Sequence, residues 1–143
     1  CSADAVRAYR GRVSGPLLDR IDIKVDVGRP PAGLLRPDAE PGEPSAAVAA
    51  RVVAARQRQM DCRGATNASV AVAEIDRVFG QSPGAFDLLE EAATKLSLSA
   101  RACRRIQRVA LTVADLAGEA RVSRAAVAEA LALWQPDRNR RTR

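Results

Sequence analysis

Arginine is the residue type through which this chain could do chemistry. It supplies 21 of the 23 basic residues, there is no histidine, and the formal net charge is +6. A guanidinium is planar, keeps its charge at every accessible pH and donates paired hydrogen bonds that match a phosphate edge, so the composition suits a nucleotide or nucleic-acid partner. Arginine abundance together with alanine and valine richness also fits a simple bias in base composition. Two placements stand out. Arg20 sits in Leu17-Leu18-Asp19-Arg20-Ile21-Asp22, between the Gly15-Pro16 turn and an alternating run. Arg101, Arg104, Arg105 and Arg108 fall at helical spacing behind Ser99, a residue type that caps helices. A cation near a helix N-terminus opposes the dipole, and an anion lying opposite would explain it; a solvated basic face is the alternative.

Other chemistries are poorly served. The chain contains no G-x-x-x-x-G-K-[ST] phosphate loop, and its carboxylates fall mostly at predicted helix ends and solvent faces, so neither unaided nucleotide hydrolysis nor an acid–base dyad is expected. Cys1, Cys62 and Cys103 are widely spaced and odd in number, which suits reduced thiols better than a disulfide framework or a complete zinc site. No apolar run approaches the roughly 20 residues of a membrane span, and a cytoplasmic location is the default expectation.

The elements that position these residues follow from periodicity. Ser2 to Arg12 predicts a short helix with Ser2 as its cap. Ile21, Ile23, Val25 and Val27 alternate with Asp22, Lys24 and Asp26, the period of a half-exposed strand. One strand cannot satisfy its own backbone groups, so its partners are expected in a sheet outside these residues, which points to a piece of something larger. Residues 28–44 carry five prolines and three glycines and predict a linker. Beyond it, five helices are expected: from a Ser45 cap to about Met60, with Val48, Val52 and Ala55 inward; from an Asn67 or Ser69 cap to Gly80, with Val70, Val72, Ile75 and Val78; from Ser82-Pro83 through Phe86, Leu89, Ala93 and Leu96; from a Ser99 cap to Gly118, with Ala102, Ile106, Val109, Val113 and Leu116; and from Ser123 to about Trp134, with Val127, Ala130, Leu131 and Trp134. Arg56, Gln59 and Arg63 share one helix face; solvation is the expectation, and contact with the nucleotide-side linker or DNA is the alternative. Trp134 is expected in the core. The tail with Arg138, Arg140, Arg141 and Arg143 is basic, able to bind DNA phosphates or to stay unstructured.

These residues carry a resemblance. Tyr9-Arg10-Gly11-Arg12-Val13-Ser14-Gly15-Pro16-Leu17-Leu18-Asp19-Arg20-Ile21-Asp22-Ile23, then Ala55-Arg56 with Gln59, Arg63 and Asn67, then Leu98-Ser99-Ala100-Arg101 and Val113-Ala114-Asp115-Leu116-Ala117-Gly118 resemble the C-terminal portion of magnesium-chelatase-like AAA+ ATPases of the YifB/ComM type, over Cys1 to about Leu131. The departure is Leu111, where the family pattern has an arginine; its loss puts one polar contact in doubt and fits a diverged or inactive lineage.

The resemblance implies a mainly α fold: a helical AAA+ lid over 45–135, preceded by a terminal helix and edge strand of an α/β P-loop ATPase core over 1–27, with the 28–44 linker between and a basic tail over 136–143. It implies that phosphate-loop motifs lie upstream, with Cys1 closing a cysteine-rich segment. It further implies ATP and Mg2+ as cofactors of the intact protein, a homo-oligomer such as a hexamer, and DNA remodelling or translocation of the branch-migration type in natural transformation. Arg20 is similar to the finger that one subunit inserts into its neighbour's ATP site, and Arg101 to the sensor-2 arginine that reads nucleotide in its own subunit. A structural Arg20 paired with Asp19 or Asp22 is the alternative. Arg104, Arg105, Arg108, Arg138, Arg140 and Arg141 are candidates for nucleic-acid contact. A standalone basic helical binding or adaptor module, without catalysis, is the competing reading, and a chelatase-type motor acting on a metal-insertion partner is a third.

Overall fold

In the computed structural model, described residues are 2–14, 17, 20–30, 32–33, 36 and 39–134. Six helices lie among them: α1 Ala3–Arg10, α2 Ser45–Arg63, α3 Val72–Gly80, α4 Pro83–Leu96, α5 Ala100–Ala117 and α6 Arg124–Leu133. The fold is mainly α, a helical bundle over α2–α6 preceded in the chain by the short helix α1.

Three termini follow the sequence closely. The hydroxyls of Ser2, Ser99 and Ser123 accept hydrogen bonds from the amides of Ala5, Ala102 and Ala126, each relieving a helix of one orphan donor. Gly118 ends α5 with φ 75° and Gly64 ends α2 with φ 64°, left-handed positions that a Cβ would strain.

Two expected caps are corrected. Pro44 occupies the N-cap of α2 and Ser45 is its first helical residue, without a capping bond; the fixed φ of proline already turns the chain into the helix. Glu43, one residue earlier, is instead tied to α2 by Arg51, whose hydrogen bond holds the Glu43 carboxyl below its usual range. Helix α3 begins after Ala71 with no side-chain cap, so neither Asn67 nor Ser69 caps it.

The core surrounds α5, which packs on α2 and α6, while α6 packs on α4 and α4 on α3. Phe79, Ile75, Ile106, Leu111 and Val127 are its largest fully buried side chains, each contributing about 1.5–3 kcal/mol by leaving water. Small residues fill the gaps between them: Ala85, Ala92, Ala102, Ala110, Ala114, Ala126 and Ala130. Trp134 packs half-buried against this cluster, as expected of a core anchor.

Several apolar stripes are corrected. Only Ala55 of the α2 valine stripe is buried; Val48 and Val52 are exposed, because α2 meets α5 through its C-terminal half. Helix α4 buries Ala85, Leu89 and Ala92 and leaves Phe86 and Leu96 in solvent. Val72 and Leu116 are likewise exposed.

The alternating segment is the main correction. Among the described residues there is no β-strand, and Ile21, Ile23, Val25 and Val27 are 41, 48, 66 and 91% exposed. A strand exists only as part of a ladder, and these described residues offer it none. What the segment does have is a hydrogen bond from the Lys24 amide to the Leu133 carbonyl, 3.2 Å, at the C-terminal end of α6.

Candidate phosphate site at the start of helix α5

Helix α5 turns Arg101, Arg104, Arg105 and Arg108 to one side because residues three and four apart share a helix face. The opposite side carries Ala102, Ile106, Val109 and Ala110 into the core, so the basic face is fixed by burial of its reverse. Arg20 reaches the same place from the other end of the chain. The Leu17 amide donates to the Ser14 carbonyl (3.0 Å) and the Arg20 amide to the Leu17 carbonyl (2.9 Å), so Arg20 closes a pair of turns.

Arg20, Asp22, Arg101, Arg104, Arg105 and Arg108 line one cleft of about 360 Å³. The two arginines singled out by the sequence are therefore brought together. Five guanidiniums against one lining carboxylate make the cleft an attractive place for a polyanion, which is attracted to the positive end of α5 as well.

Arg104, Arg105 and Arg108 are each held by protein groups. Arg104 bonds Asp76 of α3 and the Gln107 side-chain oxygen (3.1 Å). Arg105 donates from Nε to Asp22 and from Nη2 to the Ile21 carbonyl. Arg108 closes the loop before α3 by donating to the carbonyls of Ala68 (2.5 Å) and Val70 (3.2 Å). Arg101 is exposed and makes no hydrogen bond or ion pair with the described residues. Arg138, Arg140 and Arg141 lie outside the described residues, as do Cys1, Gly15, Pro16 and Asp19.

A second polar constellation was missed by periodicity. Asp115, expected on the polar side of α5, is 3% exposed and pairs with Arg63. Asn67 donates to Asp115 Oδ2 at 2.7 Å and to the Thr112 hydroxyl at 3.1 Å, while its amide donates to the side-chain oxygen of Gln59 at 3.2 Å. Arg58 adds a bond to the Asp115 carbonyl, placing a cation at the C-terminal end of α5 where the dipole favours it. The expectation that Gln59 and Arg63 are solvated is thus overturned: Gln59 is 6% exposed and the Arg63 side chain 8%. Their spacing of four was the available signal, beside the spacing of three between Thr112 and Asp115 on α5, but only the approach of α2 to α5 reveals that the two polar pairs meet. Leu111, the departure from the family pattern, is 1% exposed in the same helix and serves the core.

The donor set fits the phosphates of a nucleotide. It does not itself supply a metal site: no group of three or more His, Cys, Asp or Glu residues is gathered among the described residues. No described helix is long and apolar enough to cross a membrane.

This architecture is that of a helical lid domain carrying an arginine-lined cleft, and comparison with known proteins gives it a family. Residues 42–133 match the family model "Magnesium chelatase, subunit ChlI C-terminal", and residues 1–34 match "Magnesium chelatase, subunit ChlI". The interval between the two matches falls in the proline-rich stretch. The chain is 39% identical over 130 residues to the competence protein ComM of Haemophilus influenzae, covering 91% of this chain and 26% of that protein. It is 36% identical over 138 residues to YifB of Salmonella typhimurium and of Escherichia coli, covering 96% of this chain and 27% of each relative. The chain therefore belongs to the magnesium-chelatase-like family of the YifB/ComM type, and it spans about a quarter of the length of these relatives.

Proposed function

We propose that the chain is the C-terminal part of an AAA+ ATPase that couples ATP binding and hydrolysis to remodelling or translocation of DNA, and that Arg20 and Arg101 meet the phosphates of the nucleotide. The observation that carries this reading is the cleft in which both arginines stand among five guanidiniums and a single carboxylate. Placed against a γ-phosphate, Arg20 would stabilise charge developing as the phosphoryl group leaves, an effect of about 10³ to 10⁵ in rate where arginine fingers act. Arg101, in the first turn of α5, adds its charge to that of the helix N-terminus and reports nucleotide to the bundle. Sharing one cleft favours a single nucleotide for both arginines, held by a neighbouring subunit, which departs from the own-subunit nucleotide that the resemblance implies for Arg101; a homo-oligomer, such as a hexamer, is then the working form.

In this reading ATP supplies the phosphoryl group, and Mg2+ is held by the nucleotide and by an ATPase core that precedes these residues. Residues 1–27 belong to that core, 28–44 connect it, 45–135 form the lid and 136–143 a basic tail. A DNA partner and a role in natural transformation are supported by the name of the ComM relative and by the net charge of +6. Because Arg104, Arg105 and Arg108 are engaged by protein groups, Arg138, Arg140 and Arg141 are the stronger candidates for DNA phosphates, with binding that weakens steeply as salt rises.

The test is ATP turnover of the full-length parent. Arg20→Ala should lower it by about 10³-fold or more, and mixing that variant with a protein defective in its own nucleotide site should restore turnover if the arginine acts across subunits. Unchanged turnover in Arg20→Ala removes the assignment.

A further inference from the structure

Arg20 opens the described stretch 20–30, which has no helix or strand and is largely exposed. A guanidinium that must meet a phosphate to within a fraction of an ångström needs its backbone held, since a misplacement of about 1 Å can cost about 100-fold in rate. The residues immediately after it provide the hold. Arg105 grips both Ile21, by its carbonyl, and Asp22, by its carboxylate. The contact joins groups 83 and 84 residues apart in sequence, and the Arg105 side chain is only 16% exposed, so its bonds face little competition from water. Two further ties flank the grip: the Arg20 amide to Leu17 behind and the Lys24 amide to Leu133 ahead.

We propose that Arg105 is a positioning residue, clamping Ile21 and Asp22 onto helix α5 and thereby holding Arg20 in the cleft that Arg101 also lines. The proposal rests on the nucleotide reading above and assigns Arg105 a role apart from phosphate or DNA contact. Its chemistry is specific to arginine. Nε and Nη2 lie on one edge of a rigid plane and reach two acceptors together, whereas an ammonium at the end of a flexible stem is a point charge. The clamp also ties Arg20 to the bundle: a shift of α5 moves Arg20 and Arg101 as one unit instead of changing their separation.

The test uses the full-length parent with Arg105→Ala, Arg105→Lys and Asp22→Asn, following ATP turnover and hydrogen exchange of the peptide spanning residues 20–25. The expected result is a fall in kcat of about 10- to 100-fold in all three, with KM for ATP little changed, faster exchange in 20–25, and unchanged protection in α5. The Arg105→Ala/Asp22→Asn double variant should be no worse than the worse single variant, since both remove one contact. Rescue by lysine would mark Arg105 as a phosphate contact and overturn the clamp, as would wild-type turnover in Asp22→Asn. If Arg105→Ala loosens α5 itself, Asp22→Asn decides, because its side chain is 55% exposed and outside the core. Arg20→Ala, run alongside, separates the two ideas: wild-type turnover there ends the nucleotide reading, and the clamp then stands or falls on whether exchange in 20–25 rises.

Discussion

At the scale of single residues, the buried polar hub decides more than its exposed counterparts. Asp115 is nearly inaccessible and receives bonds from Arg63 and Asn67, so removing it strands a buried guanidinium and an amide together. Asp115→Ala should cost about 3–5 kcal/mol, seen as a lower denaturant midpoint, whereas exposed Arg56→Ala should move it by no more than about 0.5 kcal/mol. Leu111 gives a second case. Leu111→Ala should lose about 2–5 kcal/mol through a cavity, and Leu111→Arg, which reinstates the residue of the family pattern, should be worse still, because a charge would enter the packed centre of this bundle. The thiols differ as well: burial pushes Cys103 up, while Cys62 is exposed. Alkylation at pH 7 followed by peptide mapping should find Cys62 modified well before Cys103.

At the scale of elements, all five helices expected beyond residue 44 formed, and the differences at their caps and inward faces have identifiable causes. Ser99 and Ser45 look equivalent in sequence, yet only Ser99 accepts a capping bond. Ser99→Ala should therefore cost about 1 kcal/mol, whereas Ser45→Ala should be neutral or slightly stabilising, as alanine is the better helix former; thermal melts of the two variants compare them directly. Boundaries of α4, α5 and α6 were legible because Pro83, Ser99, Gly118, Ser123 and Pro136 punctuate the chain. Inward faces were less legible, since a chain rich in alanine and valine has several stripes of similar hydrophobicity and neighbouring helices choose among them. Phe79 illustrates this: four residues after Ile75, it shares that residue's face and is 1% exposed, whereas the expected stripe ran through Val78 instead.

At the scale of the whole molecule, stability and the candidate site are distributed unequally. Hydrogen exchange should find the slowest amides in α5 and α6, which meet at the centre of the core, and fast exchange along residues 21–30, with the Lys24 amide the exception because Leu133 holds it. The sequence by itself determined the arginine chemistry, the order and approximate ends of the helices, and the family, because caps, breakers and short motifs act through neighbours along the chain. Only the tertiary structure decided that Arg20 and Arg101 share a cleft, that Arg105 holds Ile21 and Asp22, that Arg63 and Asp115 are buried together, and that the alternating segment forms no strand. Each of those outcomes depends on groups far apart in sequence, or on a ladder partner, and local periodicity carries no information about which distant surface a side chain will meet.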